Sequence, residues 1–269
     1  MILVDGLAGE SISARDRGFA YGDGVFRTFK VMRGKPVLWQ RQYAKLAHDC
    51  HALGIDCPPA QTLERDLAQI DTPDCIIKIV ITRGDSARGY AMPSAVAVRR
   101  VVIAGAWPAH AADNNSKGIA ARVCRLRYSS QPALAGIKHL NRLENVLARA
   151  EWNDADIAEG LMCDANANVI GGTMSNVFIE KQGALQTPDL RACGVSGVMR
   201  ELVIELAKAH AVPVVVTAIS LDQLLAADAV FVVNSVIGLW PVIQLDRMKW
   251  PQSKITMQMQ QWIDDAQDA

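Results

Sequence analysis

Neither sign of charge predominates in this chain. Lys and Arg total 28, Asp and Glu total 28, and the formal net charge is zero. Binding through the backbone charge of a nucleic acid, or to an anionic membrane surface, needs a basic excess, so this balance argues against both. Long apolar runs are missing too, so no membrane span is expected. Met1 leads straight into ILVDG without a basic segment, so no signal peptide is expected. Paired cysteines are also missing. Cys50, Cys57, Cys75, Cys124, Cys163 and Cys193 are scattered and none lies in a CxxC. Free thiols in a reducing compartment are the simplest account. His48 and His51 share a helical segment but find no further ligand on that face, so no metal is expected. No serine or cysteine triad, internal repeat or low-complexity tract is legible. What remains reads as a soluble, cytoplasmic protein. Its 269 residues are 50% hydrophobic, enough for one large domain or two small ones with separate cores.

The order of elements is mixed. Residues 2–4 and 26–32 read as strands, the second closed by the turn Arg33-Gly34-Lys35-Pro36. Residues 39–53 read as a helix stopped by Gly54, and 62–70 as another. The β-branched runs 76–82 and 96–103 suit buried strands around a loop at 83–93. A polar linker is expected at 108–117, which divides the chain into a small α/β domain, 1–112, and a larger domain, 113–269. The second part offers strands at 119–124, 160–163, 176–180, 184–186, 212–217 and 229–233. Helices are expected at 198–210, 221–226 and 255–266. The series is α+β and not a regular β-α-β repeat.

Four segments can carry chemistry. The first is AGIKHLNRLENVL, residues 135–147, where Lys138 follows a small apolar run. Ile137, Leu140, Leu143, Leu147 and Ala150 recur at helical spacing, so a helix with one face packed inward is expected. On pattern alone Lys138 reads as a solvated lysine at a helix start. The second is ACGVSGVMR, 192–200, a glycine-bearing turn into a helix. Such an N-terminus suits a phosphate, and an ordinary loop is the plainer reading. The third is RGDSARGY, 83–90, whose arginines suit a carboxylate clamp or simply a solvated loop. The fourth is AVFVVNSVIGLWP, 229–241, where a core strand ends at Ser235.

Taken in order, YGDG (21–24), RGxxxRGY (83–90), AGIKHLNRLE (135–144), SNVF (175–178), GVSGVMR (194–200) and a closing VNS…PV strand span nearly the whole chain. The series resembles the fold-type IV pyridoxal-phosphate enzymes, and within them the aminodeoxychorismate lyase family. The resemblance implies a two-lobed α+β fold of the D-amino acid aminotransferase kind, with mixed sheets and flanking helices. It implies pyridoxal 5'-phosphate held as a Schiff base on Lys138, the catalytic residue. The phosphate is assigned to the Gly197, Val198 and Met199 backbone, to Ser235 and to Lys45, with Arg41 one turn earlier able to assist. Lys45 stands where the family carries an arginine. Arg88 and Tyr90 are assigned to the substrate carboxylate, and Phe26 and Arg27 to the site wall. The family forms homodimers in which the 83–93 loop reaches the partner's site. The implied reaction converts 4-amino-4-deoxychorismate to 4-aminobenzoate and pyruvate on the way to folate. The alternatives are a D-amino acid or branched-chain aminotransferase, and a cofactor-binding protein with little catalysis. One departure stands out. Gly171 lies where the family has the glutamate that meets the pyridine nitrogen, and no carboxylate lies between Asn166 and Phe178.

Overall fold

A computed structural model of the chain describes residues 1–93, 97–108 and 113–268. The chain divides into two compact units. One comprises Met1–Pro108 with Ile137–Asn141, the other Ala109–Gly136 with Arg142–Ala269. The short segment bearing Lys138 thus belongs to the first unit, not to the second as a single cut at 112/113 would have it.

In the first unit the elements are β1 (Ile2–Val4), β2 (Leu7–Ala8), α1 (Arg17–Tyr21), β3 (Gly24–Met32), β4 (Lys35–Pro36), α2 (Trp39–Ala52), α3 (Ala60–Leu67), β5 (Cys75–Thr82) and β6 (Arg99–Gly105). Its strands form an antiparallel sheet in the order β2-β1-β6-β5-β3-β4. The reason is visible in β5, CIIKIVIT. Cys75, Ile77, Ile79 and Ile81 are buried on one face while Lys78 is exposed, the period-2 pattern of a half-covered strand. That face packs with Leu3, Val25, Phe29 and Val102, against Leu46 and Cys50 of α2 and Leu63 of α3. Ile137 enters the same core. Of the strand expected at 96–103, Val96 lies outside the described residues, as do 109–112 of the expected linker.

In the second unit the elements are α4 (Asn114–Lys117), β7 (Ile119–Tyr128), α5 (Leu143–Arg149), β8 (Ile157–Asp164), β9 (Val169–Gly172), β10 (Asn176–Lys181), β11 (Ala184–Pro188), α6 (Val198–Ala209), β12 (Val214–Thr217), α7 (Leu221–Leu225), β13 (Ala229–Asn234), β14 (Gly238–Leu245), β15 (Met248–Lys249) and α8 (Lys254–Asp268). The mixed sheet runs β12-β11-β10-β13-β14-β7-β8-β9, with β15 on β14. Its parallel pairs are β11 with β12, β14 with β7 and β7 with β8. Central β13, AVFVVN, is buried through its first five residues, as a strand covered on both faces should be. Phe231 stacks on Phe178 of β10 with centroids 5.1 Å apart.

The expected helix around Lys138 is corrected. Residues 137–141 are not helical, with a single bridge at His139 and a bend at Leu140, and α5 begins only at Leu143. Nor does α5 turn an apolar face inward. Leu143, Val146 and Leu147 are 67%, 60% and 52% exposed, and Ala148 is its buried residue. Ile137 and Leu140 belong to a strand-like segment, so the helical spacing that joined them to Leu143 and Leu147 was fortuitous.

Candidate active site

Lys138 sits on a strip laid along the start of β3. The Phe26 N–H donates to Lys138 O at 3.0 Å, the Leu140 N–H to Gly24 O at 2.9 Å, and Val25 bridges His139. Asn141 Nδ2 donates to Gly22 O at 3.1 Å. Strands crowd Gly24 from both sides. A Cβ there would stand 2.4 Å from Ile81 O and 2.8 Å from Leu140 Cδ1, so YGDG needs its second glycine for close approach.

Beneath the strip lies Asp49, 0% exposed. It accepts the Lys138 backbone N–H at 3.1 Å and pairs with the Arg27 guanidinium and the Lys45 ammonium. His48 Nδ1 approaches it at 3.2 Å. The Lys45 charge, then burial, holds the His48 imidazole below its usual range. Burial pushes the Arg27 guanidinium down to about 9, still above neutral pH. Two cations, Arg27 and Lys45, thus face the Asp49 carboxylate. Arg27 Nε is buried and has no hydrogen-bond partner among the described residues.

Side chains alternate along β3, so Phe26 and Arg27 point to opposite faces. Lys138 Nζ lies 4.5 Å from the Phe26 ring centroid, and Lys78 Nζ lies 5.0 Å from it. Of the residues read from sequence, Arg27 and Lys45 meet at Asp49 with the Lys138 backbone N–H, while the Lys138 amine lies by the Phe26 ring. Arg27, read as a wall residue, has its guanidinium bound to Asp49.

Arg88 and Tyr90 lie on the exposed loop after β5, Tyr90 at 82% exposure with its ring 5.2 Å from Tyr21. The first arginine of that motif has a different task. Arg83 binds Asp23 and the Leu53 and Gly54 carbonyls. Arg17 binds Asp23 at 2.7 Å and reaches the Gly89 and Tyr90 carbonyls at 3.2 and 3.4 Å. Burial opposes ionisation of Asp23, but the two guanidiniums outweigh it and its carboxyl lies below the usual range. A carboxyl depressed in the folded state stabilises above its ordinary pKa, and that contribution is lost as pH falls through the lowered value.

In the second unit the 192–200 turn is built from the backbone. Gly136, two residues before Lys138 in sequence, donates to Gly194 O at 3.0 Å and accepts from the Ser196 N–H at 3.1 Å. Gly197 is the N-cap of α6, and the first helical bond runs from the Glu201 N–H to Gly197 O. Val198 and Met199 bury their side chains, so only their N–H groups are on offer. Ser235 follows β13 at a turn whose neighbour Asn234 accepts from the Val236 and Ile237 N–H groups.

The Gly171 region holds a carboxylate that sequence reasoning passed over. Glu159 on β8 is fully buried. It accepts from the Gly160 and Thr173 N–H groups and from the Thr173 and Ser175 hydroxyls, at 2.6 to 2.9 Å. Those bonds fold the 173–175 turn around it. A Cβ at Gly171 would stand 2.9 Å from Ser175 O, so no side chain fits there unless that backbone moves. Asp49, Glu159 and Asn176 were all missed as functional candidates. The nearest signals were KLAHD at 45–49, AEG at 158–160 and SNVF at 175–178.

Residues 24–245 match the model of the amino-transferase class IV family. The aminodeoxychorismate lyase of Vibrio harveyi is 36% identical over 268 residues, covering 97% of this chain and 98% of the relative. The crystal structure of 4-amino-4-deoxychorismate lyase from Pseudomonas aeruginosa superposes with a TM-score of 0.96 at 42% identity, covering 100% of both chains. A hypothetical aminotransferase from Mycobacterium tuberculosis in its PLP-bound form shares the fold, with a TM-score of 0.85 at 18% identity and coverage of 99% and 98%. The architecture is therefore that of the fold-type IV enzymes, and the chain belongs to the class IV aminotransferase family.

Proposed function

We propose that this protein is a pyridoxal 5'-phosphate-dependent lyase that converts 4-amino-4-deoxychorismate to 4-aminobenzoate and pyruvate, a step toward folate. The observation that carries this reading is end-to-end similarity, at 36% and 42% identity, to two proteins named for that activity. When bound, the cofactor supplies an aldehyde that condenses with amines and a ring that withdraws electron density.

The residues suit such a group. Lys138 offers its amine beside the Phe26 ring. The Arg27 and Lys45 cations gather at Asp49, and Arg27 Nε is buried with no hydrogen-bond partner among the described residues. The α6 N-terminus offers the Val198 and Met199 N–H groups to an anion. Lys138 is the residue that holds the cofactor. Displaced by the substrate's amine, the neutral Lys138 Nζ takes the proton from the carbon bearing that amine and returns one to the departing enolpyruvate. Arg88 and Tyr90 receive a substrate carboxylate, with Phe26 in the wall. Lys45 and Ser235 assist at the phosphate, and the Gly197 N–H, already donated to Asn176, serves by shaping the turn. Formation of an aromatic product supplies a driving force that transamination lacks. This suits a chain with glycine at 171.

Turnover needs no keto acid. Purified protein given aminodeoxychorismate alone is expected to release 4-aminobenzoate, followed by fluorescence, and pyruvate in equal amounts. Product formed only when a keto acid is added, or faster turnover of D-alanine or leucine, makes the protein an aminotransferase instead.

The active species is a homodimer. Leu143, Val146 and Leu147 form an exposed apolar strip at helical spacing on α5, and a second copy is the occupant we assign to it. Sedimentation at micromolar concentration is expected to give twice the 29.2 kDa chain mass. A fully active monomer rules this out. The six cysteines are free and no helix of the described residues is long and apolar enough to cross a membrane, which supports a cytoplasmic location.

A further inference from the structure

Asn176 opens β10 and is 8% exposed. Its amide is spanned by one short turn. Nδ2 donates to Val195 O at 2.7 Å, and Oδ1 accepts from the Gly197 N–H at 3.1 Å. The two bonds use the amide in a single orientation, because only the oxygen can face an N–H and only the nitrogen a carbonyl. The fit is close on both sides. A Cβ on Gly197 would lie 2.4 Å from Asn176 Oδ1. Gly136 fastens the same turn through Gly194 O and the Ser196 N–H. The Ser196 hydroxyl spends its proton on Glu201 at 2.7 Å. The turn is thus tied at Gly194 O, Val195 O, the Ser196 N–H and the Gly197 N–H. The next N–H groups, those of Val198 and Met199, precede the first intrahelical bond and have no helical partner.

We propose that Asn176 is a positioning residue for the phosphate end of the cofactor site. By holding Val195 O and the Gly197 N–H it sets the direction of the first turn of α6, so that the Val198 and Met199 N–H groups stay unspent and aimed at the phosphate. The proposal rests on the cofactor reading above. It deepens that reading because the asparagine itself touches no phosphate.

The test compares two ligands that differ by the phosphate alone. Dissociation constants of the apoprotein for pyridoxal 5'-phosphate and for pyridoxal are measured by fluorescence quenching, in wild type, Asn176→Ala and Asn176→Asp. Asn176→Ala is expected to weaken the phosphorylated ligand about tenfold, the effect of one ordinary hydrogen bond. Its affinity for pyridoxal should stay within about twofold. Asn176→Asp keeps the acceptor for Gly197 but sets an oxygen against Val195 O and adds a negative charge, so its selective loss should be larger. Gly197→Ala strikes the same contact from the other side and decides the matter if the Asn176 variants do not fold. Its expected result is the same selective loss. Equal weakening of both ligands, or none, overturns the proposal. Wild type that binds neither ligand sinks the cofactor reading instead.

Discussion

Lys138→Ala is expected to lower turnover of aminodeoxychorismate by about 10⁴-fold, the upper end of what a positioned acid–base group contributes. It should also abolish covalent retention of pyridoxal phosphate after borohydride treatment. The variant should fold normally, because the contacts that place residue 138 are made by its backbone. The N–H bound to Asp49 and the carbonyl bound to the Phe26 N–H survive any substitution except proline. Among what the alanine removes is the ammonium stacked on Phe26, a contact worth about 1 kcal/mol at most for a partly exposed pair. Lys138→Arg keeps a cation on the ring but supplies no neutral amine, and should be as inactive. Activity of either variant within tenfold of wild type, or borohydride label on another lysine, removes Lys138 from the chemistry.

Asp49→Ala is expected to have the largest effect on stability. Its carboxylate is the acceptor that the structure gives to the Arg27 guanidinium, the Lys45 ammonium and the Lys138 N–H. Deleting it strands a buried guanidinium, and breaking a buried pair from one side costs about 3–5 kcal/mol. For a chain of this size that is a fall in melting temperature of roughly 10 °C. Asp49→Asn keeps an acceptor and should cost less. The double variant Arg27→Met/Asp49→Leu removes both buried charges and should recover most of the loss. Thermal unfolding of the apoprotein reads all three. A single Asp49→Ala variant that melts within 2 °C of wild type would show that the pair is not held as described.

Much of the frame was legible in the residues. β5 and β13 follow the strand rules, and the ordered motifs from YGDG to GVSGVMR led to the family. What was hidden depends on partners distant in the chain. Asp49 looks like a surface acid between His48 and Cys50 on a helix. Its burial follows from Arg27 on β3, 22 residues away, and from Lys138, 89 residues away. Glu159 was missed for a related reason. A search for a carboxylate near Gly171 followed the sequence, whereas the β8–β9 pairing sets Met162 opposite Gly171 and brings Glu159 to the same turn. The Lys138 helix failed because Ile137 and Leu140 fit a helical spacing while the backbone of 138–140 was claimed by the open edge of β3. SNVF was noticed as a motif, but nothing in its letters says that the asparagine grips a turn about twenty residues on, at Val195 and Gly197.

The strip Ile137–Asn141 also governs when the first unit becomes whole during synthesis. Its first 108 residues leave the ribosome with the start of β3 unpaired on one side and the place of Ile137 in the core unfilled. At roughly 5–20 residues per second, the missing piece follows only after some seconds. During that interval the nascent sheet carries an open edge, the kind of surface on which chains mispair. The residue to which we assign the chemistry therefore rides on the last strip to be laid into the unit made first, and a contiguous N-terminal fragment is an unfinished sheet.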